Sequence, residues 1–431
     1  MSREMKDSGI AWIGKIPANW NLRRLQFILT ERNEKNNDLQ TKNILSLTAD
    51  KGVIPYAERS SGGNKHKDDL TAYKIIKPND IVVNSMNILA GSVGLSKYYG
   101  CSSPVYYMLY SEKEDIDIRY YSYIFQSNAF QRSLRGLGNG IMIHESENGK
   151  LNTIRMRIPM EKLNKLYLPY IPLSEQQKIA SFLDEKTKEI DNTIEKTKET
   201  IELYKKYKQS IIYKTVCKGI DNHHLKNTGS KYWVKIPIEW QMVKVKRIFE
   251  IVKRIAGEEG YTILSITQKG IKEKDISHNE GQVAADYSNY QFVYPGDFAM
   301  NHMDLLTGWV DISKYFGVTS PDYRVFRLKY SFQHDNRYWL YVMQTCYMNK
   351  IFYSLARGVS TLGRWRLQAE SFNNFEVPVP TLEEQKQIAD YLDDKISSID
   401  GLINYKEKFI TQLENYKKSL IYEYATGKKE I

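Results

Sequence analysis

Two long stretches of the chain repeat apolar residues at alternating spacings of three and four. From Ser174 to Thr215 there is neither Pro nor Gly. One seam position holds Ala180, Thr187, Ile194, Ile201 and Lys208; the other holds Leu183, Ile190, Thr197, Tyr204 and Ile211. A second stretch gives Ala389, Ile396, Ile403, Ile410 and Lys417, with Leu392, Ile399, Lys406, Leu413 and Leu420. A period of about 3.5 predicts two α-helices packed as a coiled coil, in which the polar members weaken the seam but fix its register. Each helix opens on a candidate capping box, Ser174 with Gln177 and Thr381 with Glu384. Ile179, Phe182, Ile212, Tyr213, Ile388, Tyr391, Ile421 and Tyr422 fall outside the seam. An isolated pair would expose them, so the pattern predicts that partner helices cover them.

Reach sets the direction of the pair. The first helix, roughly 42 residues, is ~63 Å long. The polar linker 218–231 extends to about 46 Å at most. It cannot return to the starting end, so the second helix is expected to run back antiparallel, with one lobe at each end.

Outside these helices the apolar runs are short. Ile75-Ile76 and Ile81-Val82-Val83 flank Pro78-Asn79, and Phe292-Val293 and Phe298-Ala299-Met300 flank Pro295-Gly296. Proline presets φ for the first turn position, and Asn or Gly tolerates the next, so each reads as strand, tight turn, strand. Arg119–Phe130 and Arg337–Met348 are tyrosine-rich and predicted helical.

These parallels belong to an internal duplication with a period near half the chain. Trp12-Ile13-Gly14-Lys15-Ile16-Pro17-Ala18-Asn19-Trp20 is echoed by Trp233-Val234-Lys235-Ile236-Pro237-Ile238-Glu239-Trp240. Ile44–Thr48 is answered by Ile263–Thr267, Tyr73–Met86 by Tyr290–Met303, and Ser96–Gly100 by Ser313–Gly317. Both halves close on a Glu-Gln signature, Glu175–Ala180 and Glu384–Ala389. The order is preserved throughout, which implies two domains of one design, a single-chain imitation of a twofold dimer. The expected organisation is α+β: a first α/β domain over 1–172, a central long helix over 173–217, a second domain over 218–380 and a C-terminal long helix over 381–431.

Composition sharpens the partner class. The 431 residues carry a formal net charge of +11. Helix segments 174–214 and 383–424 together sum to about −2, which leaves an excess near +13 in the lobes, where a phosphate backbone would need it. The three cysteines, Cys101, Cys217 and Cys346, are far apart and suggest no disulfide framework, which fits a reducing cytoplasm. His223-His224 has no Cys or Glu at ligand spacing and reads as linker. Met1–Lys6 is charged, so a signal peptide is not expected, and no apolar run approaches the ~18–20 residues of a membrane span.

The lobes share a framework and differ in a few polar tracts. Asn84, Ser85 and Asn87 in one half, and Asn301 and His302 in the other, follow corresponding strands, where amides and hydroxyls suit base edges. Lys97 and Lys314 sit in matched turns. Arg135, Asn139, Arg155 and Arg157 form a polar-basic tract in the first half; Arg357, Ser360, Thr361, Arg364 and Arg366 do so in the second. Arg beside Gly and Ser/Thr suits phosphate approach, and a bidentate Arg suits guanine. A solvated loop with incidental charge is an equal reading of any single residue. Most of the 32 tyrosines read as core and not as base-stacking platforms.

Lobe, long helix, lobe, long helix, with Glu175-Gln176-Gln177-Lys178-Ile179-Ala180-Ser181-Phe182-Leu183 and Glu384-Gln385-Lys386-Gln387-Ile388-Ala389-Asp390-Tyr391-Leu392 opening the helices, resembles the specificity subunit of type I restriction–modification systems. The tryptophan-flanked Ile-Pro entry of each half is similar to that family too, and the likeness covers nearly the whole chain. It implies two target-recognition domains, each reading one half of a split double-stranded DNA site. It also implies helices that act as a ruler and bind two methyltransferase (modification) subunits, with restriction/translocase subunits joining them. S-adenosylmethionine, ATP and Mg2+ would then bind those partners, and this chain would bind no cofactor or metal and catalyse nothing. Consistently, Gly427-Lys428 lacks the upstream Gly and following Ser/Thr of a phosphate-binding loop. The rival expectations are a protein-binding scaffold, whose lobes need no basic surplus, and a lone nuclease or modification enzyme, which needs a cofactor motif or paired carboxylates.

Overall fold

The structure is a computed structural model of the 431-residue chain. It describes residues 3–49, 51–59, 65–139, 143–145, 151–153, 157–221, 223–274, 287–356 and 366–431, with backbone alone at 143–145 and 151–153. The chain divides into two compact units, Met1–Thr197 with Lys408–Ile431, and Lys198–Glu407. Each holds one lobe together with part of both long helices.

In the first unit four strands form an antiparallel sheet: β1 (Thr30–Arg32), β2 (Ile81–Asn84), β3 (Val93–Leu95) and β4 (Tyr106–Tyr110), in the spatial order β1-β4-β2-β3. The period of two sends alternate residues to opposite faces. Ile81, Val83, Tyr107 and Leu109 enter the main core with Trp20, Tyr120, Phe125 and Leu183. Val82 and Met108 pack on the other face with Leu45, Leu47, Val53 and Ile76. Helix α1 (Ile118–Gln126) covers the main core and precedes the long helix α2 (Leu173–Lys218).

The second unit repeats this plan. Strands β5 (Phe249–Val252), β6 (Phe298–Met300), β7 (Val310–Ile312) and β8 (Arg324–Leu328) take the order β5-β8-β6-β7. Val325 opposes Ala299 as Met108 opposes Val82. Phe249, Phe298, Phe326 and Trp339 pack edge to face around Phe249, with centroids 5.1–5.6 Å apart. Helix α3 (Asn336–Met348) and the long helix α4 (Leu382–Ala425) complete the unit. The two tight turns form as expected: Asn79 and Gly296 both adopt positive φ, 68° and 91°.

Within each unit the long helices run antiparallel. In the first, Phe182 meets Tyr424 while Asp191, further along α2, meets Lys417, earlier in α4. In the second, Tyr204 lies by Lys406 and Lys208 by Asp400. The heptad positions form the buried stripe: Ala180, Leu183, Thr187, Ile190, Ile194, Thr197 and Ile201 are all buried, as are Ala389, Leu392, Ile399 and Ile403. The seam lysines Lys208 and Lys417 are satisfied by Asp400 and Asp191 at 2.7 and 2.6 Å.

Three sequence expectations need correction. The opening motifs align one residue differently: Ser8 N donates to Gly14 O as Thr228 N donates to Val234 O, so Ile13 and not Trp12 occupies the fully buried place of Trp233. Trp12 instead packs on Phe130 at 5.2 Å. Helix α2 starts at Leu173, which puts Ser174 inside its first turn and not ahead of it, whereas Thr381 and Glu384 do form the capping box. Finally, the off-seam apolar residues are already covered within the chain. Ile179, Ile212, Ile388 and Ile421 are 2–4% exposed. Phe182 packs on Tyr424, the Tyr213 hydroxyl donates to Tyr232 O, and the Tyr422 hydroxyl donates to Ile13 O. Tyr391 is half-buried, with Lys395 over its ring. The chain's own lobes and long helices supply the cover that the pattern assigned to partner helices. The exposed apolar side chains are others: Leu203, Tyr207, Leu402 and Tyr405 in the second unit, Phe409 and Tyr416 in the first.

Candidate nucleic-acid interface

The Glu-Gln signature turns out to be a fastening. Glu175 accepts from the Trp20 indole at 3.0 Å and from Arg3 at 2.6 Å; Glu384 accepts from the Trp240 indole at 3.1 Å. Burial works to raise the Glu384 carboxyl, but the Trp240 indole, the two Thr381 donors and the neighbouring His223 outweigh it and hold the group below the ordinary carboxylate value. Gln176 and Gln385, both buried, accept from the backbone N–H of Asp117 and Asp335, the residues that cap α1 and α3. Each signature therefore anchors one lobe to the start of a long helix.

With the scaffold so fixed, β2 and β6 end at matched positions. Asn84 caps its own turn, its Oδ1 accepting from Met86 N at 3.0 Å; Asn301 does the same for Met303 and Asp304. Asn87 lies exposed on the turn that follows. The backbone of Ser85 accepts from Ile158 N at 3.0 Å, and that of His302 accepts from Leu367 N at 3.0 Å. These bonds bring Arg157 and Arg366, both exposed, to the two strand ends. Asn139 pairs with Arg157 through both backbone N–H groups and accepts from Lys162, and Arg135 lies four residues before it on an exposed turn. In the first lobe the structure thus gathers Asn84, Asn87, Asn139 and Arg157, and in the second Asn301, His302 and Arg366.

Other expected residues go elsewhere. Ser85 is 1% exposed and its hydroxyl is spent on Val105 O at 2.7 Å, so it is framework. Lys97 and Lys314 are exposed but stand beside the Asp80 and Asp297 turns, where β2 and β6 begin. They lie at the opposite strand ends from Asn84 and Asn301, because the intervening hairpin reverses the chain. Arg155, Arg357, Ser360, Thr361 and Arg364 lie outside the described residues.

Sequence reasoning missed Tyr107 and Arg324, which oppose Val83 and Met300 across the sheet. The Tyr107 hydroxyl donates to Ile158 O at 2.9 Å, and Arg324 Nη2 donates to Leu367 O at 2.8 Å. The available signal was a cation at a strand position whose duplicate carries tyrosine. Burial together with the charges of Arg324 and Arg366 lowers the His302 pKa to about 3, and burial lowers that of Arg324 to about 10. An open hollow of about 700 Å³ lies instead by the Pro295–Asp297 turn. Its arginines are already paired, Arg254 with Asp297 and Arg327 with Glu250, which leaves Lys329 as its remaining cation among the described residues. Among the described residues, no three metal-capable side chains cluster and no helix is long and apolar enough to cross a membrane.

Two copies of one α/β lobe, each carrying a basic strand-end cluster and fastened to an antiparallel helix pair, define a double-headed recognition protein. The chain belongs to the family of type I restriction modification DNA specificity domains, whose profile matches residues 17–203 and again 237–414. It is 25% identical to the type I restriction enzyme MjaVIII specificity subunit of Methanocaldococcus jannaschii, over 97% of this chain and 94% of that protein. It is 24% identical to the putative MjaX specificity subunit of the same organism, over 97% and 96%. Among solved structures, one described as the structural basis underlying complex assembly and conformational transition of the type I R-M system superposes with a TM-score of 0.66 at 12% identity, covering 95% of this chain and 98% of that one. The HsdS subunit from Thermoanaerobacter tengcongensis superposes at 0.51 with 12% identity, covering 96% and 98%. The chain is therefore a specificity subunit with two DNA specificity domains. Its role is recognition within an assembly, and the scaffold reading falls.

Proposed function

We propose that the chain reads a two-part duplex DNA site, one part with each lobe, and presents that site to modification subunits docked on its helices. The observation that carries this is the duplicated framework with unlike strand ends: Asn84, Asn87, Asn139 and Arg157 in one lobe, Asn301, His302 and Arg366 in the other. A repeated scaffold with unlike readers suits two different half-sites. Base edges would be met by the amides and Arg157, and phosphates by Arg366 and the surrounding lysines and arginines. Two methyltransferase subunits would dock on the exposed apolar stripe of Leu203, Tyr207, Leu402 and Tyr405, in place of the residues first expected. Restriction subunits would join the same assembly. Methylation would draw on S-adenosylmethionine and cleavage on ATP and Mg2+, all held by those partners, in the cytoplasm.

The test is purification of the tagged full chain from its native extract, followed by mass spectrometry and by methylation mapping of the genome. The expected result is an adenine methyltransferase at about two copies per chain, and methylated sites in two parts separated by a fixed gap. Leu402→Glu with Tyr405→Glu should lose the methyltransferase while keeping the fold. A folded chain that brings down no methyltransferase, or a genome methylated at undivided sites, overturns the proposal.

A further inference from the structure

Tyr107 and Arg324 hold the same position and make the same backbone bond, but they differ in what is left over. The phenol has one donor, and it is used on Ile158 O. The guanidinium has five N–H donors. Among the described residues Arg324 donates one hydrogen bond, to Leu367 O, and forms no ion pair. Its Nη1 is buried without a partner, and the residue is only 6% exposed. Its plane lies 5.0 Å over Phe372, which accounts for its packing but not for its charge.

The neighbouring groups deepen the imbalance. His302, also 6% exposed, has a buried Nδ1 with no partner. Leu367 is bonded to both, through its N–H to His302 O and through its carbonyl to Arg324, so Arg366 stands directly at their mouth. The nearby carboxylate of Asp304 is engaged by its own turn, through Leu306 N, Thr307 N and the Thr307 hydroxyl. Buried positive charge with no ion partner among the described residues is a costly arrangement for a core, and an anion from outside the chain would complete it.

We propose that Arg324, His302 and Arg366 form an anion site that takes one backbone phosphodiester of the DNA read by the second lobe. This rests on the DNA-reading function proposed above. A planar guanidinium matches phosphate oxygens in pairs, and the exposed Arg366 adds a second cation. With its pKa lowered to about 3, His302 is neutral at physiological pH and acts as a hydrogen-bonding group beside the two charges. The first lobe keeps only the exposed Arg157 as the counterpart of Arg366 and lacks the buried pair, because its Tyr107 and Ser85 hydroxyls are both spent on backbone carbonyls. The second lobe therefore grips the backbone with a buried cation that the first lobe lacks.

The experiment uses the full chain in complex with its modification subunits and compares the unaltered protein with Arg324→Tyr, which installs the first lobe's residue, and with Arg366→Gln at the exposed end. Duplex binding is measured against salt. Each variant should flatten the slope of log K against log salt by about 0.9, the loss of one phosphate contact. In parallel, melting is followed in inorganic phosphate and in chloride at equal ionic strength, where phosphate should raise the melting temperature of the unaltered protein and not of Arg324→Tyr. Unchanged slopes in both variants overturn the proposal, and so does phosphate stabilisation without any slope change, which would make free phosphate the ligand. If Arg324→Tyr does not fold, Arg366→Gln carries the slope test alone. If the unaltered complex binds no duplex, the DNA-reading function itself fails, and the melting comparison still decides whether an anion site exists.

Discussion

In the first lobe Asp80 accepts from Arg32 and from Lys77 N; in the second Asp297 accepts from Arg254 and from Tyr294 N. Arg119 links the Asp117 cap to Asp184 of α2, as Arg337 links the Asp335 cap to Asp390 and Asp393 of α4. The agreement stops at the strand ends, where Ser85 and Tyr107 of one lobe correspond to His302 and Arg324 of the other. It stops also beside the first turns, where the second lobe clusters Tyr261, Phe292, Tyr294 and Phe316 with centroids 4.8–6.2 Å apart. The lesson is a division of labour. Backbone bonds and a few buried acids hold the lobes, and the same position carries either a tyrosine or an arginine as the donor to the Ile158 or Leu367 carbonyl. The position can then change from neutral to charged without rebuilding the sheet, which lets a duplicated reader acquire a second specificity.

If the framework is truly shared, damaging it must cost both lobes alike. Trp20 and Trp240 are 0% and 1% exposed, and each donates to the signature glutamate. Trp20→Ala and Trp240→Ala should each destabilise by ~3–5 kcal/mol, from lost burial and the cavity left behind. Hydrogen exchange should place the loss in the first unit for one variant and in the second for the other. A lobe that shrugs off its substitution would break the equivalence.

A smaller effect sharpens the difference. The His302 pKa is lowered from 6.5 to about 3, by burial first and by Arg324 and Arg366 next. Below pH 6.5 the unfolded chain takes up a proton at this imidazole, and the folded chain does not until near pH 3. The unfolded state binds more protons across that window, so stability falls as the pH falls through it. The second unit should lose stability as the pH drops from 6.5 towards 3 in urea titrations read by hydrogen exchange. His302→Ser, the first lobe's residue, should flatten that loss. A variant as acid-sensitive as the unaltered chain would place the proton uptake elsewhere.

Much of this framework was legible in the sequence, because it is periodic or repeated. The seam from Ala180 to Ile211 could be read from spacing alone, and the Pro78-Asn79 and Pro295-Gly296 turns from the φ preferences of their residues. What could not be read depends on three-dimensional neighbours. Ile179 and Ile421 look unpartnered along a helix, yet they enter the main core of the first unit with Ile13, Trp20 and Tyr120. Lys97 is near Asn84 in sequence but at the other end of β2, since one hairpin separates them. Arg324 belongs to no motif, and its meaning came only from its cross-strand partner Met300 and its bond to Leu367.

The smallest expected effect separates the two long helices at their first turns. Thr381 and Glu384 cap α4 reciprocally: the Thr381 hydroxyl and N–H both donate to the Glu384 carboxylate, at 2.8 and 3.0 Å, and Glu384 N donates back to the Thr381 hydroxyl at 3.3 Å. Helix α2 begins one residue ahead of Ser174, where Pro172 O instead accepts from Glu175 N and Gln176 N. A serine inside the first turn has no end to cap. Thr381→Ala should therefore cost about 1 kcal/mol, the usual worth of such a cap. Ser174→Ala should stay within about 0.5 kcal/mol of the unaltered chain, as substitutions away from such features do. Equal losses in urea denaturation would mean that Ser174 caps α2 after all. Unequal losses would show that two copies of one signature can begin their helices in different ways while keeping the same grip on tryptophan.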